Sequence, residues 1–179
     1  CFDLVIVATK SNDVRSVVKS AVSFHSKAVL FLQNGDFPLN WVPRMLPGVE
    51  VYRGVTTSAC QVSPDGVLKI FLKGTFFLGA YTEERRYLTS IVRTFRKVGL
   101  KTEVVKDYRS AVWAKLIFSA VMNPLPILTG CGYGIISKDR GVDLLVMDGI
   151  AEGKKVAVRE NIRLAFDPGR MVRRLKAGI

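Results

Sequence analysis

Residues 3–32 read DLVIVATKSNDVRSVVKSAVSFHSKAVLFL, and this stretch decides the fold class. Asp3 to Ala8 is a continuous apolar, β-branched run, the pattern of a strand buried on both faces of a parallel sheet. Ser11 is placed to cap a helix over Asn12 to Phe24, where Val14, Val17, Val18, Ala21 and Val22 recur at helical spacing. Ala28 to Leu32 is a second apolar run. Strand, helix and strand in so few residues make a βαβ unit.

Outward from that unit, Gln33-Asn34-Gly35-Asp36 is turn chemistry at the carboxyl end of the second strand. Val49 to Ala59 reads as extended. Ser63-Pro64-Asp65-Gly66 is a strong turn, followed by Val67 to Leu72 and Thr75 to Ala80, a short antiparallel addition built from hairpins. After Gly79 the period changes. Glu83 to Val98 reads as a helix with Leu88, Ile91, Val92 and Phe95 on one face, and Lys101 to Val105 as a short strand. Tyr108 to about Leu128 is helical, interrupted by Pro124 and Pro126. Gly130, Gly132 and Gly134 form a loop rather than a dinucleotide loop, because they follow a helix and lack the GxGxxG spacing. Leu144 to Arg163 and Met171 to Lys176 are further helices. The expected fold is α/β: residues 1–82 belong to a partial parallel-sheet domain, and residues 83–179 to a helical domain.

The chain has 179 residues, 49% hydrophobic, with 27 Lys+Arg against 15 Asp+Glu and a net charge of +12. That apolar fraction excludes intrinsic disorder, and no apolar run reaches the ~18 residues of a membrane span. Cys1-Phe2-Asp3-Leu4 enters the strand pattern directly, with no initiator Met and no basic leader. It reads like the middle of a domain, so a fragment is expected. Cys1, Cys60 and Cys131 are scattered and odd in number, which suits buried thiols in a reducing cytoplasm. With one histidine, His25, a zinc site is not expected. Residues 83–179 hold 19 of the basic residues. A basic surface suits nucleic acid, a phosphorylated cofactor or plain solvation. No aromatic interleaving or nucleic-acid motif accompanies it, so neither a nucleic acid nor a membrane is the expected partner.

Three places carry candidate chemistry. Ligands of open parallel sheets bind at the carboxyl ends of the strands. One such end carries Lys10, which can donate to a phosphate or simply face solvent; the other carries Asn34-Gly35, also the commonest turn dipeptide. The third is the helix around Lys115, where Ser119 and Asn123 follow at i+4 and i+8 and form a polar stripe. A lysine among Val112, Trp113, Leu116, Ile117 and Phe118 can have its pKa lowered and act as a general acid. The same stripe is what an amphipathic helix presents to water.

Five segments together resemble the ketopantoate reductase (2-dehydropantoate 2-reductase) family: DLVIVATKSNDV at 3–14, LQNGD at 32–36, GVTTSA at 54–59, DGVLKI at 65–70 and VWAKLIFSAVMNPLPILTG at 112–130. The last is the most specific and is close to the family pattern W-x-K-L-x-x-N-x-x-x-N-P-L-T. The resemblance implies a Rossmann-like dinucleotide-binding domain, here without its first strands and glycine-rich loop, then an all-helical domain, here truncated. It implies NADPH-dependent reduction of a small 2-keto acid, 2-dehydropantoate, in pantothenate and coenzyme A biosynthesis. Lys115 falls on the catalytic lysine, and Asn123 on a substrate-binding asparagine. Asn34 falls on the strand-end asparagine that holds nicotinamide and substrate, and Lys10 on a lysine near the 2′-phosphate. The family's second helix asparagine is Ser119 here, and its Thr after Asn-Pro-Leu is Pro126. These departures leave open a related 2-keto acid reductase. A non-catalytic protein using the basic C-terminal third is the alternative of a different class. The sequence does not fix the oligomeric state; a truncated helical domain exposes apolar surface that drives association, which leaves a homodimer open. The fragment by itself is expected to be inactive.

Overall fold

The structure, a computed structural model, describes residues 2–177; Cys1, one of the expected buried thiols, lies outside them. The chain forms two compact units, Cys1–Tyr108 and Arg109–Ile179.

The first unit is built on a five-stranded sheet in the order β1-β2-β3-β6-β7. Its strands are β1 (Leu4–Val7), β2 (Ala28–Phe31), β3 (Glu50–Thr56), β6 (Phe76–Ala80) and β7 (Thr102–Val104). β1, β2 and β3 run parallel, β6 is antiparallel to β3, and β7 is parallel to β6. Strand alternation divides the core between the two faces. Val29, Phe31 and Val51 pack with α1 (Val14–Val22) and α2 (Val42–Met45). Ala28, Leu30, Tyr52 and Leu78 pack on the opposite face with Leu88, Ile91, Val92 and Phe95 of α3 (Leu88–Lys97).

Several expectations are corrected. β1 is not buried on both faces among the described residues: Ile6 is exposed, and only Val7 is buried. Ser11 does not cap α1; it opens a 3-10 turn at Ser11–Asp13, and α1 starts at Val14. The hairpin β4 (Ala59–Val62) and β5 (Leu68–Leu72) does not extend the sheet but forms a separate, exposed two-stranded ribbon. Sequence patterning put the domain division at 82/83, whereas the compact units divide after Tyr108. The reason is pairing: β7 completes the sheet beside β6, and α3 supplies half of one core face. Cys60 and Cys131 are exposed rather than buried, the first on the ribbon and the second just past a helix end.

The second unit contains α4 (Tyr108–Met122, whose first residue closes the other unit), α5 (Leu125–Thr129), α6 (Ile135–Lys138), α7 (Arg140–Arg159) and α8 (Pro168–Ala177). Its core joins Ile117, Met122, Leu125, Ile136, Val146, Ile150 and Val172. The segment Tyr108–Thr129 is long and apolar enough to cross a membrane by length and composition, which the run-length reading missed. Within it, Ile117, Met122 and Leu125 join one core with residues of α6 and α7. α4 ends before Asn123-Pro124, as expected of a residue preceding proline. α7 starts earlier than expected because Asp139 caps it, its Oδ1 accepting from the Val142 N–H at 3.0 Å.

Candidate functional site

Parallel pairing sets the first group of candidates. Val7 lies opposite Phe31, and Phe31 opposite Arg53, so the ends of β1 and β2 are level. The Leu32 N–H donates to the Val7 carbonyl at 3.0 Å and carries the ladder one step further. Lys10 and Asn34 therefore leave the same sheet edge, each three residues past its strand. Lys10 is extended (φ −65°, ψ 151°), and its carbonyl accepts from the Asp13 N–H at 3.0 Å, opening the 3-10 turn. Its side chain is exposed and has no carboxylate partner among the described residues. Asn34 is also exposed. Gly35 follows at φ +87°, a left-handed conformation that favours glycine, which is why the turn reads Asn-Gly.

Beneath that turn lie two buried polar side chains that sequence reasoning missed. Gln33 is buried, and neither its amide nitrogen nor its amide oxygen has a partner among the described residues. Arg53 is fully buried and donates through Nη2 to the Gly35 carbonyl. The signal for Arg53 was available: a charged residue at a core-facing position of the strand Val51-Tyr52-Arg53-Gly54-Val55 breaks the ordinary pattern.

The second group stands on α4. Lys115 and Ser119 are half-buried, and Asn123 is exposed just past the helix end, its N–H donating to the Ser119 carbonyl at 3.0 Å. The three keep the stripe that their spacing predicts. The Lys115 ammonium lies 5.2 Å from the centre of the Phe118 ring. Burial pulls its pKa below the ordinary lysine value. No carboxylate pairs with it among the described residues. A desolvated cation one turn before a hydroxyl and two before an amide can hold an oxyanion and donate a proton to it.

Glycines of α7 hold α4 close. A Cβ on Gly153 would stand 2.7 Å from Ile117 Cγ2, and one on Gly149 3.0 Å from Val121 Cγ2. This close approach was also missed, because a glycine inside a helix reads only as a propensity defect.

The polar stripe and the strand-end turn thus belong to separate compact units. Comparison with known proteins adds to this geometry. The family described as ketopantoate reductase PanE/ApbA matches residues 1–83, and its C-terminal part matches residues 107–178. A 2-dehydropantoate 2-reductase of Pyrococcus abyssi is 27% identical over 168 residues, covering 93% of this chain and 55% of that protein. A PanE/ApbA family ketopantoate reductase of Ralstonia eutropha superposes with a TM-score of 0.77 at 27% identity, over 99% of this chain and 58% of that one. A D-mandelate dehydrogenase solved with NADH and anilino(oxo)acetate has the same fold, with a TM-score of 0.80 at 21% identity over 98% of this chain and 57% of that one. The chain spans about half the length of these relatives.

Proposed function

We propose, from the premise that this chain belongs to the ketopantoate reductase family, that the full-length protein reduces the ketone of a 2-keto acid, 2-dehydropantoate, with NADPH. The observation that carries this reading is Lys115, a half-buried cation without a carboxylate partner among the described residues, at the head of the Ser119–Asn123 stripe. When bound, a nicotinamide cofactor supplies the hydride to the carbonyl carbon. The carbonyl oxygen then gains negative charge. Lys115 Nζ stabilises that charge and passes a proton to the same oxygen, giving the alcohol. Its lowered pKa makes the proton easier to give than that of a solvated lysine. Ser119 and Asn123 orient the substrate by hydrogen bonds from the same side of α4.

The residues present suit a phosphorylated dinucleotide. Lys10 is an exposed cation at the sheet edge, free of any carboxylate among the described residues, and is assigned to the 2′-phosphate. Asn34, on the adjacent strand end, is assigned to the nicotinamide and substrate. The 1–179 chain spans only part of its relatives and is expected to show no turnover alone.

A second reading, a reductase of another 2-keto acid, is favoured by Ser119, whose hydroxyl reaches less far than the family's asparagine at this position. The test is NADPH oxidation by the purified full-length protein, with 2-dehydropantoate and with a panel of 2-keto acids. A kcat/KM highest for 2-dehydropantoate supports the first reading, and a higher value for another keto acid the second. No turnover with any 2-keto acid rejects both.

A further inference from the structure

A buried charge sits under the turn that carries Asn34. Arg53 lies in the middle of β3, and the strand pleat turns its side chain to the face of Val51, Val29 and Phe31. Burial there is complete. The guanidinium makes two contacts with one short turn: Nη2 donates to the Gly35 carbonyl, and the group stacks on Phe37 with its carbon 4.0 Å from the ring centre. Nε and Nη1 have no acceptor among the described residues. Burial draws the pKa down to about 10, against the opposing pull of Asp36, Tyr108 and Tyr81, so the group stays charged at neutral pH. Desolvating such a cation is costly, and an apolar side chain of similar volume would fill the space without that cost.

What an apolar side chain cannot do is hold the turn. The bonded carbonyl belongs to the residue after Asn34, and the stacked ring lies three residues after Asn34. We propose that Arg53 is a positioning residue: by fixing the Gly35 carbonyl and the Phe37 ring at once, it sets the turn 33–37 so that the Asn34 side chain is presented at the carboxyl edge of the sheet. The consequence for activity rests on the assignment of Asn34 under Proposed function; the consequence for the turn does not. A lysine at this position would reach the carbonyl without offering a plane to stack, and a methionine would stack without bonding.

The experiment compares full-length wild type, Arg53→Lys, Arg53→Met and Asn34→Ala by amide hydrogen exchange and by steady-state kinetics. In Arg53→Met, exchange at residues 33–37 is expected to quicken about tenfold or more while the amides of Ala28–Phe31 keep their protection. Arg53→Lys should fall between. Activity of Arg53→Met should drop about tenfold, and the double variant with Asn34→Ala should lose no more than Asn34→Ala alone. Unchanged exchange at 33–37, or equal loosening of the β2 amides, overturns the proposal, as do losses that multiply in the double variant. Faster exchange at 33–37 with a fully active Asn34→Ala upholds the positioning of the turn and overturns only the catalytic assignment of Asn34.

Discussion

Arg86 Nε stands 2.6 Å from Glu50 Oε1, an exposed cation capping a fully buried carboxylate. Glu50 is the first residue of β3, and its other oxygen accepts from the Tyr52 hydroxyl and from the Tyr87 N–H just before α3. Burial by itself would raise the Glu50 pKa, but these donors hold it below the ordinary carboxylate value of 4.5. Glu50→Ala should cost about 3–5 kcal/mol in denaturant unfolding, since it strips a buried network of its acceptor. Arg86→Ala should cost less, because the guanidinium is largely solvated.

The same carboxylate predicts an acid limb. A group whose folded pKa is depressed contributes stability that is present above its unfolded pKa and lost as pH falls through the folded value. Unfolding free energy should therefore decline as pH drops below about the ordinary value of 4.5. In Glu50→Gln that part of the decline should be absent, leaving a flatter profile in urea titrations from pH 7 to 3.

Gly153 and Gly149 are expected to differ. Alanine gains about 1 kcal/mol of helix propensity at either position. At Gly153 the new Cβ meets Ile117 Cγ2 at 2.7 Å and Cγ1 at 3.0 Å, close to a β-branched stem with little freedom to move. Gly153→Ala should be destabilising by about 1–3 kcal/mol. Gly149→Ala meets Val121 less closely, its methyls at 3.0 and 3.4 Å and its Cβ at 3.8 Å, and should be nearly neutral. Thermal melts of the two variants check the order.

Lys115→Ala in the full-length protein should lower kcat by roughly two orders of magnitude, the scale of a lost acid or oxyanion stabiliser. NADPH affinity should stay within about threefold of wild type. As an acid, Lys115 works only when protonated, so kcat should fall as pH rises through a pKa below the ordinary lysine value of 10.5. Lys115→Arg keeps the charge but has no proton to give in that range, so its residual activity should lack this alkaline limb. Near-normal kcat in Lys115→Ala would sink the assignment.

Lys10→Ala should weaken NADPH binding about tenfold or more and leave NADH binding unchanged, because a charge-assisted bond to the 2′-phosphate is open to NADPH alone. Fluorescence titration with both cofactors reads the ratio. Equal losses for the two would remove Lys10 from the phosphate.

Much of the architecture is local and therefore legible in one dimension. The apolar runs of β1 and β2, the period of α1 and α3, and the Asn-Pro break after α4 each follow from spacings within a few residues. Lys115, Ser119 and Asn123 share a stripe because a helix repeats every 3.6 residues, whatever surrounds it. Other features exist only once distant strands pair. β7 joins β6, which carries the unit boundary past residue 82 to Tyr108, and β4–β5 stays out of the sheet. Register is a long-range choice that alternation alone does not specify. Arg53 stands out in the apolar run of β3, but what it holds is decided only when β3 pairs with β2 and brings the turn at Gly35 over it. Gly153 looks like a weak point in α7 until Ile117 of α4 occupies the space where its Cβ would stand. Burial of a charge and exclusion of a side chain are properties of three-dimensional neighbours, so only the tertiary structure decided them.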